Sequence, residues 1–147
     1  NTDVSLPAGT VSFVVGLPAI RDPERRAIAD RIGSAIGAEC KRVLDTWSPC
    51  VDWGLLARGG IEGLVAYCPD VYEQYAGELL AAEAGVRHRV LDLETGAVIG
   101  GNADGCGSDN SVTTGVGALY VGALTADGLD RLTDVVAGAL ASSAGSV

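Results

Sequence analysis

Apolar, β-branched runs alternate with helix starts along the whole chain, and that alternation limits what it can fold into. Val11-Ser-Phe-Val-Val-Gly16 is a strand-forming run, and Asp22-Pro23 behind it supplies a helix cap and a proline at the first helical position. Ala27, Ile28, Ile32, Ala35 and Ile36 then recur at helical spacing. Arg42-Val-Leu-Asp45 reads as a second strand. Ser48-Pro49 repeats the cap-plus-proline signature before a short helix with Val51, Leu55 and Leu56 as its apolar stripe, ending at Gly59-Gly60. Gly63-Leu-Val-Ala-Tyr67 is a third strand, and Asp70-Val-Tyr-Glu73 opens the next helix. Arg89-Val-Leu-Asp92 is a fourth strand with a turn at Glu94-Thr-Gly96, and Ala118–Ala123 is a fifth. Thr125 caps a last helix with Leu129, Leu132, Val136 and Leu140 on one face. This order predicts an α/β layered domain with a largely parallel five-stranded sheet flanked by helices. Residues 1–147 read as one domain without linker or repeat, with a frayed tail from Ala141.

Composition removes several function classes. A chain of 147 residues with 48% hydrophobic and 20% charged residues is that of a soluble globular domain. It has no signal-peptide pattern and no apolar run near the roughly 20 residues of a membrane helix. A net charge of −9 does not suit nucleic-acid phosphates. Cys40, Cys50, Cys68 and Cys106 form no CxxC pair, and His88, the single histidine, sits between two arginines. Zinc, haem and a Ser-His-Asp triad are therefore not expected. The thiols read as reduced and the protein as cytoplasmic. Gly100–Gly117 has the composition of a surface loop and lacks the Gly-Lys-Ser/Thr of a phosphate loop.

Two segments carry possible chemistry. Asp45, Thr46, Trp47 and Ser48 lie where a strand passes into a helix N-terminus, a place where α/β sheets receive ligands. Ser48 as a plain cap and Asp45 as a solvated turn residue are the simpler alternative. Glu73 follows Tyr72 in a first helical turn. As part of Asp70-x-x-Glu73 it fits a capping box, its carboxylate reaching back to the cap N–H. An acid there also fits a cation site.

The order of segments resembles the C-terminal half of the inositol monophosphatase and fructose-1,6-bisphosphatase superfamily. The resemblance rests on Arg42-Val-Leu, a helix ending Ala57-Arg-Gly-Gly60, Ile61-Glu-Gly63-Leu-Val-Ala-Tyr, the pair Tyr72-Glu73 and Ala82-Glu-Ala-Gly85. It spans roughly residues 11–140. In that family an aromatic-acid pair opens a helix ending Glu-Ala-Gly-Gly, and its acid binds a catalytic Mg2+. Glu73 precedes Ala84 by eleven positions, the family's spacing. Here Gly85 is followed by Val86, not a second glycine, and Asp45-Thr-Trp-Ser48 replaces a shorter Gly-Ser. The family's Asp-Pro-(Ile/Leu)-Asp-Gly-Thr motif and upstream glutamate belong to an N-terminal half that this chain does not carry.

The resemblance implies the C-terminal segment of a magnesium-dependent phosphomonoesterase acting on a small phosphorylated sugar, polyol or nucleotide. In it Glu73 is a catalytic metal ligand, Tyr72 its support, and Asp45, Thr46, Trp47 and Ser48 face substrate. It implies two partners, a complementary N-terminal half or second chain and a further copy in a dimer. A start at Asn1-Thr2, without methionine, agrees with a processed product or fragment. The alternative is a non-catalytic scaffold or regulatory subunit of the same descent.

Overall fold

The computed structural model describes residues 5–103 and 118–142. Its strands are β1 (Thr10–Val15), β2 (Arg42–Leu44), β3 (Gly63–Tyr67), β4 (Arg87–Asp92), β5 (Val98–Gly101) and β6 (Ala118–Ala123). The helices are α1 (Leu17–Ile20), α2 (Pro23–Glu39), α3 (Pro49–Ala57), α4 (Val71–Glu83) and α5 (Ala126–Ala141). Among the described residues no helix is long and apolar enough to cross a membrane. The glycine-rich stretch beyond Ala103, with Cys106, and the end of the tail lie outside the described residues.

The layered α/β architecture holds, with two corrections to the sheet. Among the described residues it has six strands in the order β2-β1-β3-β6-β4-β5, not five, and it is mixed rather than largely parallel. Among the described strands, parallel pairing is confined to β2-β1 and β1-β3. Those pairs are joined through helices, as parallel strands require. β4 instead turns directly into β5, so that pair is antiparallel, and β6 runs antiparallel to both β3 and β4.

Each face of the sheet carries its own core. On one face α2 and α5 bury Ile32, Ile36, Leu129, Leu132, Val136 and Leu140 against Val11, Phe13 and Val65. On the other, Trp53 and Leu56 of α3 and Ala81 of α4 pack on Leu64, Ala66, Val90 and Tyr120. Successive strand residues alternate between the two faces.

Two helix stripes differ from expectation. In α2 the buried alanine is Ala29, and Ala27 is exposed. In α3, Val51 faces solvent, and the inner face is Pro49, Asp52, Trp53 and Leu56. A nine-residue helix that is apolar almost all round gives no clear period to read. His88 is 4% exposed and satisfied internally: its Nε2 lies 2.6 Å from Glu78 Oε1, and its ring meets Trp53 edge-on at 6.0 Å.

Candidate functional site

The candidate residues follow the ends of β2 and β3, the two strands that flank β1 in the sheet. After β1 the chain leaves towards the α2 face, and after β3 towards the α4 face. Open α/β sheets receive ligands in such a divide. The strand ends are held close. The Gly16 N–H donates to the Tyr67 carbonyl at 2.9 Å, and a Cβ on Gly16 would run into the Cys68 carbonyl oxygen. Trp47 and Cys68, with φ of +60° and +50°, are the non-glycine residues with left-handed backbone among the described residues. One follows β2 and the other ends β3. Conformations of this cost persist where the surroundings over-determine them, and they cluster at working sites.

The β2–α3 turn is built by its own side chains. Asp45 Oδ1 accepts the Trp47 N–H at 3.1 Å, and the Thr46 hydroxyl accepts the Ser48 N–H at 3.3 Å. Ser48 occupies the cap position of α3, but its side chain makes no capping bond. The Thr46 hydroxyl donates to Oδ2 of Asp52 at 2.8 Å. Asp52 is fully buried, and its Oδ1 has no hydrogen-bond partner. Burial raises its carboxyl above the ordinary range; the Thr46 and Ser12 hydroxyls oppose that rise, and the Asp45 charge adds to it. Sequence reading missed Asp52. Its signal was being the lone charge in Pro49–Ala57, otherwise apolar.

The turn divides the four candidates. Asp45 and Trp47 line an open cleft of about 570 Å³ against α2, whose other walls include Phe13, Val15, Ile20 and Arg26. Thr46 and Ser48 run into α3 on the opposite face. There the α3 and α4 starts meet, the Cys50 thiol donating to the Glu73 carbonyl at 3.1 Å.

Glu73 stands in the first turn of α4, where it complements the helix dipole. Asp70 Oδ1 caps the helix by accepting the Tyr72 N–H at 3.0 Å. The reciprocal half of a capping box is not formed: the exposed Glu73 carboxylate makes no hydrogen bond among the described residues. Tyr72 is 84% exposed, so a supporting role for its ring needs a second surface to cover it. Cys68 is buried, which raises its thiol despite the opposing Arg25 charge and the Tyr67 hydroxyl; it has no character of a nucleophile.

These residues do not make a cation site by themselves. Magnesium needs near-octahedral oxygen coordination. Among the described residues no three His, Cys, Asp or Glu side chains could hold an ion together. Glu73 offers one carboxylate, and the buried Asp52 is turned into the fold.

No family model matches the sequence, and no curated protein matches it. Solved structures match its fold. SuhB of Mycobacterium tuberculosis aligns with a TM-score of 0.65 at 17% identity, over 92% of this chain and 43% of that one. The inositol monophosphatase of Anabaena gives 0.64 at 14% identity, over 91% and 45%. That of Thermotoga maritima gives 0.61 at 13% identity, over 97% and 45%. The chain spans less than half the length of these structures. Its fold is that of one half of an inositol monophosphatase.

Proposed function

We propose that this chain is the C-terminal segment of a magnesium-dependent phosphomonoesterase-like assembly. Its substrate would be a small phosphorylated sugar, polyol or nucleotide, bound between this segment and a complementary half on a second polypeptide or elsewhere in a longer one. The observation that carries the reading is the position of Glu73: a carboxylate with no hydrogen bond among the described residues, in a first helical turn at the strand-end divide of a sheet with the inositol monophosphatase fold. When bound, the cation would activate water and stabilise the leaving oxygen. Glu73 would offer it one oxygen ligand, and Tyr72 and Ser48 would lie beside the same edge.

The exposed side of α4 supports the need for a complement. Tyr72, Tyr75, Leu79 and Leu80 are 84, 43, 66 and 56% exposed, a run of large apolar side chains along one helix. Contiguous apolar surface of this kind marks interaction sites. A non-catalytic scaffold of the same fold is the second reading, favoured by the lack of a cation-binding cluster among the described residues.

One experiment separates them. The chain is mixed with a polypeptide bearing the Asp-Pro-x-Asp-Gly-Thr motif, and co-elution and Mg2+-dependent release of phosphate from a sugar or polyol phosphate are measured. Phosphate release by the mixture alone supports the enzyme. Co-elution without release supports the scaffold. Absence of any complex overturns the assembly.

A further inference from the structure

We propose that Asp52 is the positioning residue of the β2–α3 turn: its buried carboxyl holds the Thr46 hydroxyl and through it keeps Trp47 in the left-handed conformation that forms one wall of the α2 cleft. The proposal concerns this chain's own geometry and does not depend on the phosphatase reading.

A fully buried carboxyl with one oxygen lacking a partner is costly and calls for an explanation. Around Asp52 stand the Ser12 hydroxyl from β1 and the Thr46 hydroxyl and Asp45 carboxylate from the turn. On its own helix, the Cys50 thiol is committed to the Glu73 carbonyl of α4. Among these neighbours there is no cation to answer a charge on Oδ1. A neutral carboxyl is tolerated there, whereas an ionised one needs water. The other oxygen is held by the Thr46 hydroxyl, so water that enters to solvate the carboxylate competes with the turn for it, and Trp47 moves with that turn.

The shift agrees in sign. Burial raises the folded-state value above 3.8, so the closed turn is most stable below that pH and loses stability as pH rises through the raised value.

The test is quenching of Trp47 fluorescence by acrylamide, with Trp47→Phe used to subtract the signal of Trp53, the second tryptophan. As pH rises, Trp47 quenching should increase by about 1.5-fold, from 67% exposure towards full exposure. Asp52→Asn cannot ionise and should show the low, closed-turn value at every pH. Thr46→Val cuts the link and should show the open value at every pH, with unchanged far-UV circular dichroism. Asp45→Asn removes a like charge and should move the profile to lower pH without abolishing it. Identical profiles for the native chain and Asp52→Asn would overturn the proposal, as would a Thr46→Val variant that stays closed or an Asp45→Asn variant with no profile. Should Asp52→Asn fail to fold, the Thr46→Val result decides, because Thr46 is only half-buried.

Discussion

The Cys50 thiol and the Glu73 carbonyl, 3.1 Å apart, tie the first turn of α3 to the first turn of α4. The bond fixes the spacing of two helix starts at the candidate site. A thiol is a weak donor, so Cys50→Ala should cost about 0.5–1 kcal/mol of stability. Cys50→Ser restores a donor and should recover most of it. Urea denaturation of the two variants measures the difference. A Cys50→Ala variant as stable as the parent would mean the contact carries nothing.

Gly16 makes a harder prediction. A Cβ added there would meet the Cys68 backbone, which cannot swing aside as a side chain can. Gly16→Ala should therefore destabilise by about 3 kcal/mol or more, the range of a strained, overpacked site. Gly54→Ala is the control: it sits inside α3 with open space around it and should stabilise by about 0.5–1 kcal/mol. Thermal melts of the pair should move in opposite directions.

How far the sequence predicted the fold follows from particular residues. The β1, β3 and β6 runs, the Asp22, Asp70 and Thr125 caps and the α5 stripe are local signals, and each is realised. What was missed depends on tertiary context. β5 has only Val98 and Ile99 as apolar residues, both exposed, and it exists because β4 is beside it. The place of β6 between β3 and β4 is set by long-range pairing that no local period records. At the site, Glu73 was legible as a first-turn acid. That its carboxylate would stay free of the cap was not, because a capping box and a half-box share one sequence. Asp52 was hidden by its position at the fourth residue of α3, where an acid ordinarily reads as a solvated partner of the helix dipole.

Tyr67 and Tyr120 should set an alkaline limit. Burial pushes both hydroxyls up to about 12; the nearby Cys68 adds for Tyr67, and Glu78 for Tyr120. Their folded values lie above the ordinary 10.0, so their contribution to stability is complete below pH 10 and is lost as pH rises from 10 towards 12. Tyrosinate absorbance should show these two rings ionising together with unfolding. Tyr67→Phe and Tyr120→Phe should each remove one ring from that late step. A single transition near 10 for all tyrosines would contradict the burial of these two.

Leu79 tests the proposed complementary half. At 66% exposure on α4 it contributes little to this chain's own core, so Leu79→Glu should change stability by no more than about 0.5 kcal/mol. The same charge placed in a covered apolar face should abolish co-elution with the complement. Unimpaired co-elution of a folded Leu79→Glu variant would put the docking face elsewhere.

Glu73→Gln separates the two roles open to that residue. Glutamine keeps the length of the side chain but removes the negative charge that a hard cation requires. The carboxylate makes no hydrogen bond among the described residues, so the free chain should lose only the dipole term, about 0.3–1 kcal/mol. In the complete assembly a metal ligand behaves differently. Mg2+ affinity and phosphate release should both collapse, while co-elution with the complement persists because Glu73 is not one of the apolar side chains along α4. Isothermal titration with Mg2+ gives the affinity directly, and gel filtration of the same samples gives the complex. An unchanged Mg2+ titration in an intact complex would leave Glu73 as a helix-dipole residue and nothing more, and the metal site would then have to be built without it.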